Sequence, residues 1–237
     1  MTTRPCCVLL LVLLTGPLAW TSTVIQEDVS TLLTGRAVTT LTEGKIVPWT
    51  KGIDGKGLGD GFMTESAAAA NGDKDVKALP DDGCFKATVS HPFVRLNFTD
   101  GDAKSPQTRS VEGEGQFTIP VVPRQYRRML VFMTSAEGPS QLRFKLAYAN
   151  GTVEQCVVKL PDYFFDAPAG DSNVFSLATD LPKWNATGRI PLHEFNHHYL
   201  HGVDLHPDAS KKLLSVLVHK TPPGYLVFWG ATGVTAD

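Results

Sequence analysis

Apolar and polar residues alternate with a period of two along much of this chain. Val94, Leu96 and Phe98, for example, alternate with Arg95 and Asn97. Successive side chains of a β-strand point to opposite faces, so this alternation predicts strands with one buried face. The same alternation, or a short apolar run, predicts further strands at 117–121, 142–148, 152–160, 174–178, 199–205, 213–219 and 225–229.

Two segments make more specific predictions about the sheets. Residues 129–133 (MLVFM) are continuously apolar, which is typical of a strand that is covered on both faces. Asn150 and Gly151 separate two alternating runs, and this pair favours a tight primed turn with positive φ at both positions. The sequence therefore predicts a hairpin between 142–148 and 152–160.

The remaining segments read as loops. Residues 51–61 are rich in Gly and Asp, and 66–77 predict a loop or a short helical turn. Long irregular connections are expected at 161–171 and 180–198, and such loops often carry function. With many short strands and almost no helical periodicity, the chain is predicted to be all-β, an antiparallel β-sandwich of jelly-roll type. Residues 46–237 form its single domain, and 22–45 form an N-terminal lead-in segment.

The first residues predict export. Arg4 precedes an apolar run, Cys6–Leu14, and Gly16, Pro17 and Ala19 then interrupt it. This run is shorter than the ~20 residues that a bilayer-spanning helix needs, so residues 1–21 are predicted to be a cleavable secretory signal peptide, cut between Ala19 and Thr23. The alternative is an uncleaved N-terminal anchor. The expected location is secreted, or extracellular, with no membrane span after cleavage.

Charge excludes some classes of partner. The formal net charge is -2 and charged residues make up 19% of the chain, with no basic run. Nucleic acid is therefore not an expected partner, and neither is an anionic membrane bound through a polybasic segment.

Export changes how the cysteines and asparagines are read. Cleavage leaves Cys84 and Cys156, which predict a disulfide in an oxidising compartment, the alternative being two separate buried thiols. Three acceptor sequons begin at Asn97, Asn150 and Asn185 and predict N-glycosylation in a eukaryotic secretory pathway.

Several short segments, read in order, resemble a known family. They are Leu79–Gly83, Tyr126 with Met129–Met133, Gly138, Tyr148–Thr152, Leu160–Tyr163 and Leu226–Trp229. Together they are similar to galactose-binding-like β-sandwich modules of secreted carbohydrate-active proteins, in which a Y-x-D-G-T hairpin precedes a strand ending in Asp-Trp or Asp-Tyr. The similarity covers roughly residues 46–234. Here Asn150 replaces the Asp of the hairpin, and Asp162 is followed by Tyr163.

The resemblance implies a non-catalytic module that binds glycans or extracellular glycoproteins. Sugar sites place flat rings against the apolar faces of pyranoses and polar side chains against their hydroxyls. Tyr163 and Trp184 lie in the two long connections and are the candidate rings. Asp162, His197 and His198 are the candidate hydrogen-bonding partners.

A histidine cluster supports an alternative, a secreted metal-dependent hydrolase. His193 to His197 spell H-E-x-x-H, and five histidines lie between His193 and His206. On a helix this motif would bind Zn²⁺, and His193, His197 and His201 are the candidate ligands. However, Pro191 and Gly202 flank the motif and oppose a helix, and the extended motif is not completed.

No cofactor is firmly predicted. Asp54, Asp60, Asp100 and Asp102 lie in Gly-containing loops, where carboxylates can hold Ca²⁺, but solvated turn residues are the simpler interpretation. A third functional alternative is an extracellular structural or protein-interaction domain.

Overall fold

The computed structural model describes residues 22–55, 58–185 and 197–236. Its strands are β1 (Val24–Gln26), β2 (Val38–Thr42), β3 (Lys45–Val47), β4 (Phe62–Met63), β5 (Cys84–Phe85), β6 (Val94–Arg95), β7 (Arg109–Glu112), β8 (Gly115–Ala136), β9 (Ser140–Tyr148), β10 (Val153–Leu160), β11 (Val174–Leu181), β12 (His198–Leu205), β13 (Lys212–Thr221) and β14 (Tyr225–Thr235). Within these ranges the helices are α1 (Glu65–Ala70) and a 3₁₀ turn at Ser30–Leu32. The prediction of an all-β antiparallel fold is confirmed, while the jelly-roll topology stays a prediction.

The long strand β8 belongs to two sheets. Its first half pairs with β13, which continues through β9 to β10. Its second half pairs with β14 on one side and β12 on the other, and β11 extends beyond β12. We call β8, β13, β9 and β10 the four-stranded sheet, and we call the sheet that contains β14, β8, β12 and β11 the larger sheet. Residues 122–125 are exposed in succession, so the alternation breaks where β8 passes from the four-stranded sheet to the larger sheet.

The two sheets enclose one apolar core. Phe144 on β9 and Val216 on β13 face it from the four-stranded sheet, and Val131 on β8 and Val203 on β12 face it from the larger sheet. All four side chains are fully buried. On β9 and β13, alternation along the strand therefore translates directly into burial.

A third layer covers the other face of the larger sheet. Residues 37–98 supply it through the small β2–β3–β4 sheet, α1 and the β5–β6 pair. The Phe62 ring lies 6.1 Å from the Trp229 ring of β14, and Leu130 and Phe132 of β8 join the same cluster. This layer is why residues 129–133 are apolar without interruption, as the sequence predicts.

The lead-in segment is integrated into the fold. β1 pairs with β14, with Val24 opposite Val234, and β2 belongs to the third layer. The buried Glu27 carboxylate accepts hydrogen bonds from the Val122 amide and the Tyr126 hydroxyl, both at 2.9 Å. Residues 22–45 thus fasten the point at which β8 changes sheets.

The β9–β10 hairpin is present, but its turn differs from the prediction. Val153 pairs with Ala147, and the Gly151 amide donates to the Tyr148 carbonyl at 3.0 Å. Gly151 has φ of 81°, whereas Asn150 does not have positive φ. A type I′ turn requires positive φ at both central positions and a type II′ turn at the first, so the prediction of a primed turn centred on Asn150 and Gly151 is wrong. One glycine in the left-handed region closes a longer loop instead.

Candidate functional site

The predicted ring Tyr163 lies inside the protein. Its amide donates to the Ser135 carbonyl at 2.7 Å, and its carbonyl accepts from the Tyr199 amide at 2.8 Å. These two bonds connect the Tyr163 backbone to β8 and to β12. The side chain is 2% exposed. Asp162 is also buried, and its carboxylate accepts from the Gly138 and Phe164 amides at 2.7 and 3.0 Å. Neither residue offers a sugar-binding surface in this conformation.

The predicted ring Trp184 is buried as well, at 2% exposure. Its indole nitrogen donates to Asp73 at 2.9 Å, and its backbone pairs with Gly61. It packs with Trp49 and the α1 alanines in a small cluster of the third layer. The prediction that Tyr163 and Trp184 stack against a ligand at a surface is therefore wrong, because both rings serve as core side chains.

A buried polar cluster surrounds Tyr163. The Lys183 ammonium lies 2.7 Å from Asp60 and donates to the Tyr163 hydroxyl at 3.1 Å. His198 stacks on the Tyr163 ring with centroids 5.1 Å apart, and His197 stacks on His198 at 4.5 Å. Burial lowers the pKa of Lys183, but bonding to Asp60 and Tyr163 outweighs it and raises that pKa overall. The ammonium is thus a fixed charge within the fold.

His198 and His201 are fully buried. One nitrogen of each ring bonds a carbonyl, Leu181 at 2.8 Å for His198 and Phe165 at 3.0 Å for His201. Burial lowers both pKa values from 6.5 to about 4, so both rings are neutral at physiological pH. Their bonds position backbone segments, and a buried His198 cannot reach a sugar hydroxyl in solvent.

The predicted metal set is not assembled among the described residues. His193 and the rest of the H-E-x-x-H motif up to residue 196 lie outside them, as residues 186–196 are not described. The ring of His201 is held in the interior by the Phe165 carbonyl, while the half-buried His197 ring lies 5.3 Å from the Phe164 ring in a tilted arrangement. Across residues 22–55, 58–185 and 197–236, no three His, Cys, Asp or Glu side chains converge to hold a metal.

The candidate calcium aspartates have structural roles instead. Asp100 accepts hydrogen bonds from the Leu41 amide and the Thr64 hydroxyl at 2.9 and 2.8 Å. Asp102 accepts from two amides of its own turn, and Asp60 bonds Lys183. Asp54 accepts from the Asp60 amide at 3.3 Å.

The predicted disulfide is wrong. Both thiols are free, and they belong to different sheets, Cys84 to the β5–β6 pair and Cys156 to β10. Burial raises the pKa of each thiol. The alternative of two separate thiols is correct, although both cysteines are half-buried and not fully buried.

The three sequons occupy different settings. Asn150 is exposed at the tip of the β9–β10 hairpin. Asn97 is half-buried, and its side-chain nitrogen lies 3.4 Å from the Trp229 carbonyl. Asn185 is half-buried beside Trp184. Whether these asparagines carry glycans stays a prediction.

A groove beside β1, β6 and β14 forms a concave site in the described residues. Its volume is about 540 Å³. Leu33, Leu96, Phe98, Pro106 and Ala231 supply its apolar lining. We call it the Arg95 groove.

The polar rim of the Arg95 groove offers both donors and acceptors. Arg95 is exposed, and its guanidinium makes no hydrogen bond or ion pair with any described residue. Asn97, Thr99, Asp102 and Ser105 line the same groove. The guanidinium can donate, while the amide and carboxylate oxygens can accept.

Sequence reasoning did not identify this groove. Its residues come from 26–33, 95–106 and 231, which are brought together by β1 pairing with β14. The alternation at 94–98 placed Arg95 and Asn97 on the outer face, but no local pattern marks that face as concave.

Comparison with known proteins adds no family. No protein-family model matches the chain, and no curated protein matches it significantly. None of the helices in the described residues is long and apolar enough to cross a membrane.

Proposed function

We propose that this chain is an exported, non-catalytic binding protein for glycans, and that the Arg95 groove is its ligand site. The observation that carries the proposal is the groove's lining, in which an apolar floor meets an unpaired guanidinium and several acceptors. A glycan presents the complementary surface, with apolar ring faces and hydroxyls that both donate and accept. The volume lies in the range of small-ligand sites, roughly 300–1,000 Å³.

The groove also explains how binding could proceed without stacked aromatic rings. Phe98, the one aromatic residue of the lining, is only 3% exposed. Recognition would therefore depend on hydrogen bonds from Arg95 and to Asn97 and Asp102. Charge-assisted bonds of this kind contribute about 1.5–3 kcal/mol each.

The test uses a glycan array probed with the full protein recovered from culture medium, after enzymatic removal of its own glycans. Arg95→Ala should weaken the best array ligand at least tenfold. Arg124→Ala is the matched control, because Arg124 is exposed and lies outside the groove. Absence of binding to any sugar, with and without calcium, would refute the proposal, as would equal losses in both variants.

A further inference from the structure

The outer face of the four-stranded sheet is basic. The side chains that point outward from the paired parts of β8, β13, β9 and β10 are all exposed or half-buried. Arg143, Lys145 and Lys159 are among them, together with His219, but no Asp or Glu is. The chain as a whole has more acids than bases, 24 against 22. A face with several cations and no carboxylate is therefore a local departure from the average.

The three cations are unpaired. No side-chain hydrogen bond or ion pair joins Arg143, Lys145 or Lys159 to any described residue, whereas the rim residue Glu114 lies 3.1 Å from His219. Exposed lysines and arginines are often neutralised by neighbouring carboxylates, so three adjacent unpaired ones create a positive field.

The strand register places these charges close together. Gln141 pairs with Lys159, and Arg143 and Lys145 follow on β9 at two-residue steps. Each step along a strand spans roughly 7 Å, and neighbouring strands lie about 4.8 Å apart. The three cations therefore lie within about 15 Å, along a diagonal across β9 and β10.

Two shallow grooves flank Arg143. One, of about 120 Å³, is lined by Gln141, Val157 and Thr221 as well as Arg143. The other, of about 170 Å³, is lined by Gln116, Lys145, Leu217 and His219. Arg143 lines both, so an extended ligand that follows them would pass this guanidinium.

The uncharged residues indicate which polyanion fits. Gln116, Gln141 and Gln155 place three of the chain's six glutamines on this face, with amides that make no side-chain bond to a described residue. Amides both donate and accept, which suits hydroxyl groups. These outward positions include no Phe, Tyr or Trp, the residues that stack on unpaired bases.

We propose that this face binds a linear anionic polysaccharide, whose sulfate or carboxylate groups contact Arg143, Lys145 and Lys159 and whose hydroxyls contact the glutamines. This site is separate from the Arg95 groove and does not depend on it.

The experiment measures binding of the full protein to dextran sulfate and polygalacturonate, with unmodified dextran as the neutral comparison. The charge-removing variant is Arg143→Gln with Lys145→Gln and Lys159→Gln. The control variant, Lys45→Gln with Lys74→Gln and Lys86→Gln, removes the same charge from exposed residues elsewhere. Circular dichroism establishes that both variants are folded.

We expect the face variant to lose at least tenfold in affinity for one of the two polyanions, and the control variant to lose less than twofold. Affinity of the unaltered protein should also fall as salt is raised, and that dependence should be weaker in the face variant.

Equal losses in both variants would overturn the proposal. So would absence of polyanion binding, or binding that is tighter to phosphatidylserine vesicles or to a DNA oligonucleotide. The two proposals are tested with different variants and ligands, Arg95→Ala on the glycan array and the face variant on the two polyanions, so failure of one is distinguishable from failure of the other.

Discussion

At the scale of single residues, the interior of this protein holds polar groups whose protonation matters for stability. His198 and His201 are neutral when folded, and burial lowers their pKa values to about 4 from 6.5. The unfolded chain therefore binds more protons than the folded chain between these values. Stability is fully present above the unfolded pKa and is lost as pH falls toward the folded pKa.

We predict that each of these histidines costs about 2 kcal/mol of stability when pH is lowered from roughly 7 to 5. Urea unfolding across this interval measures it. His198→Gln and His201→Gln should each flatten the pH dependence, whereas His206→Gln should not, because that side chain is largely exposed. The raised pKa values of Glu27 and Asp100 act in the opposite direction, but they are common to all variants. An unchanged slope in both buried-histidine variants would contradict the prediction.

The Lys183–Asp60 pair supports a second prediction at this scale. Lys183 is 6% exposed, so Lys183→Met leaves the Asp60 carboxylate without its cation in a poorly solvated site. Loss of one partner of such a pair costs about 3–5 kcal/mol. Lys77→Met is the matched control, because the Lys77–Asp180 pair is exposed and should contribute about 0–1 kcal/mol.

The free energy of unfolding in urea measures both lysine variants. The double variant Lys183→Met with Asp60→Asn should recover part of the loss, since no unpaired charge remains. If Lys183→Met and Lys77→Met cost the same, the buried pair is not what stabilises this region.

At the scale of elements, β14 depends on glycine where another element crosses it closely. A side chain at Gly233 would overlap the Tyr126 ring, at the point where β8 changes sheets. At Gly230, three residues earlier in the same strand, a Cβ would lie 3.4 Å from Leu96, which is ordinary contact. Neither glycine has positive φ, so backbone strain does not distinguish them.

We therefore predict that Gly233→Ala destabilises the protein by about 1–3 kcal/mol, the usual cost of overpacking, while Gly230→Ala changes stability by less than about 1 kcal/mol. Thermal unfolding of the two variants measures this difference. Equal melting temperatures would show that the Tyr126 ring can move aside without cost.

The elements also show what a period of two can and cannot predict. Alternation or a short apolar run identifies the strands that follow residue 115, because each strand packs at least one face against apolar residues. It also identifies the doubly covered run at 129–133. It does not reveal that residues 37–98 fold over the larger sheet, because that arrangement depends on contacts between distant parts of the chain. The pairing of β1 with β14, for example, joins positions over two hundred residues apart. For that reason the sequence predicts Tyr163 and Trp184 at a surface, whereas both rings are buried in the structure.

At the scale of the whole molecule, three layers are held together without a covalent cross-link among the described residues. β8 runs through both sheets, Glu27 joins the lead-in segment to β8, and the third layer is held by apolar packing. The sequence places Cys84 and Cys156 in the same mature chain but says nothing of their separation. A disulfide requires two Cβ atoms about 3.5–4.5 Å apart, and here each cysteine belongs to a different sheet.

The state of the thiols therefore tests the arrangement of layers and the predicted export together. Protein recovered from culture medium and denatured without reductant should react with two equivalents of a thiol reagent, from Cys84 and Cys156. Its N-terminus should begin between residues 20 and 23, which removes Cys6 and Cys7. Folded protein should react slowly, because burial raises both thiol pKa values and the thiolate is the reactive species.

A reductant should leave the melting temperature unchanged, as should Cys84→Ser. A fall in melting temperature on reduction, with no thiol titrated beforehand, would mean that the two cysteines meet and that the third layer is packed differently.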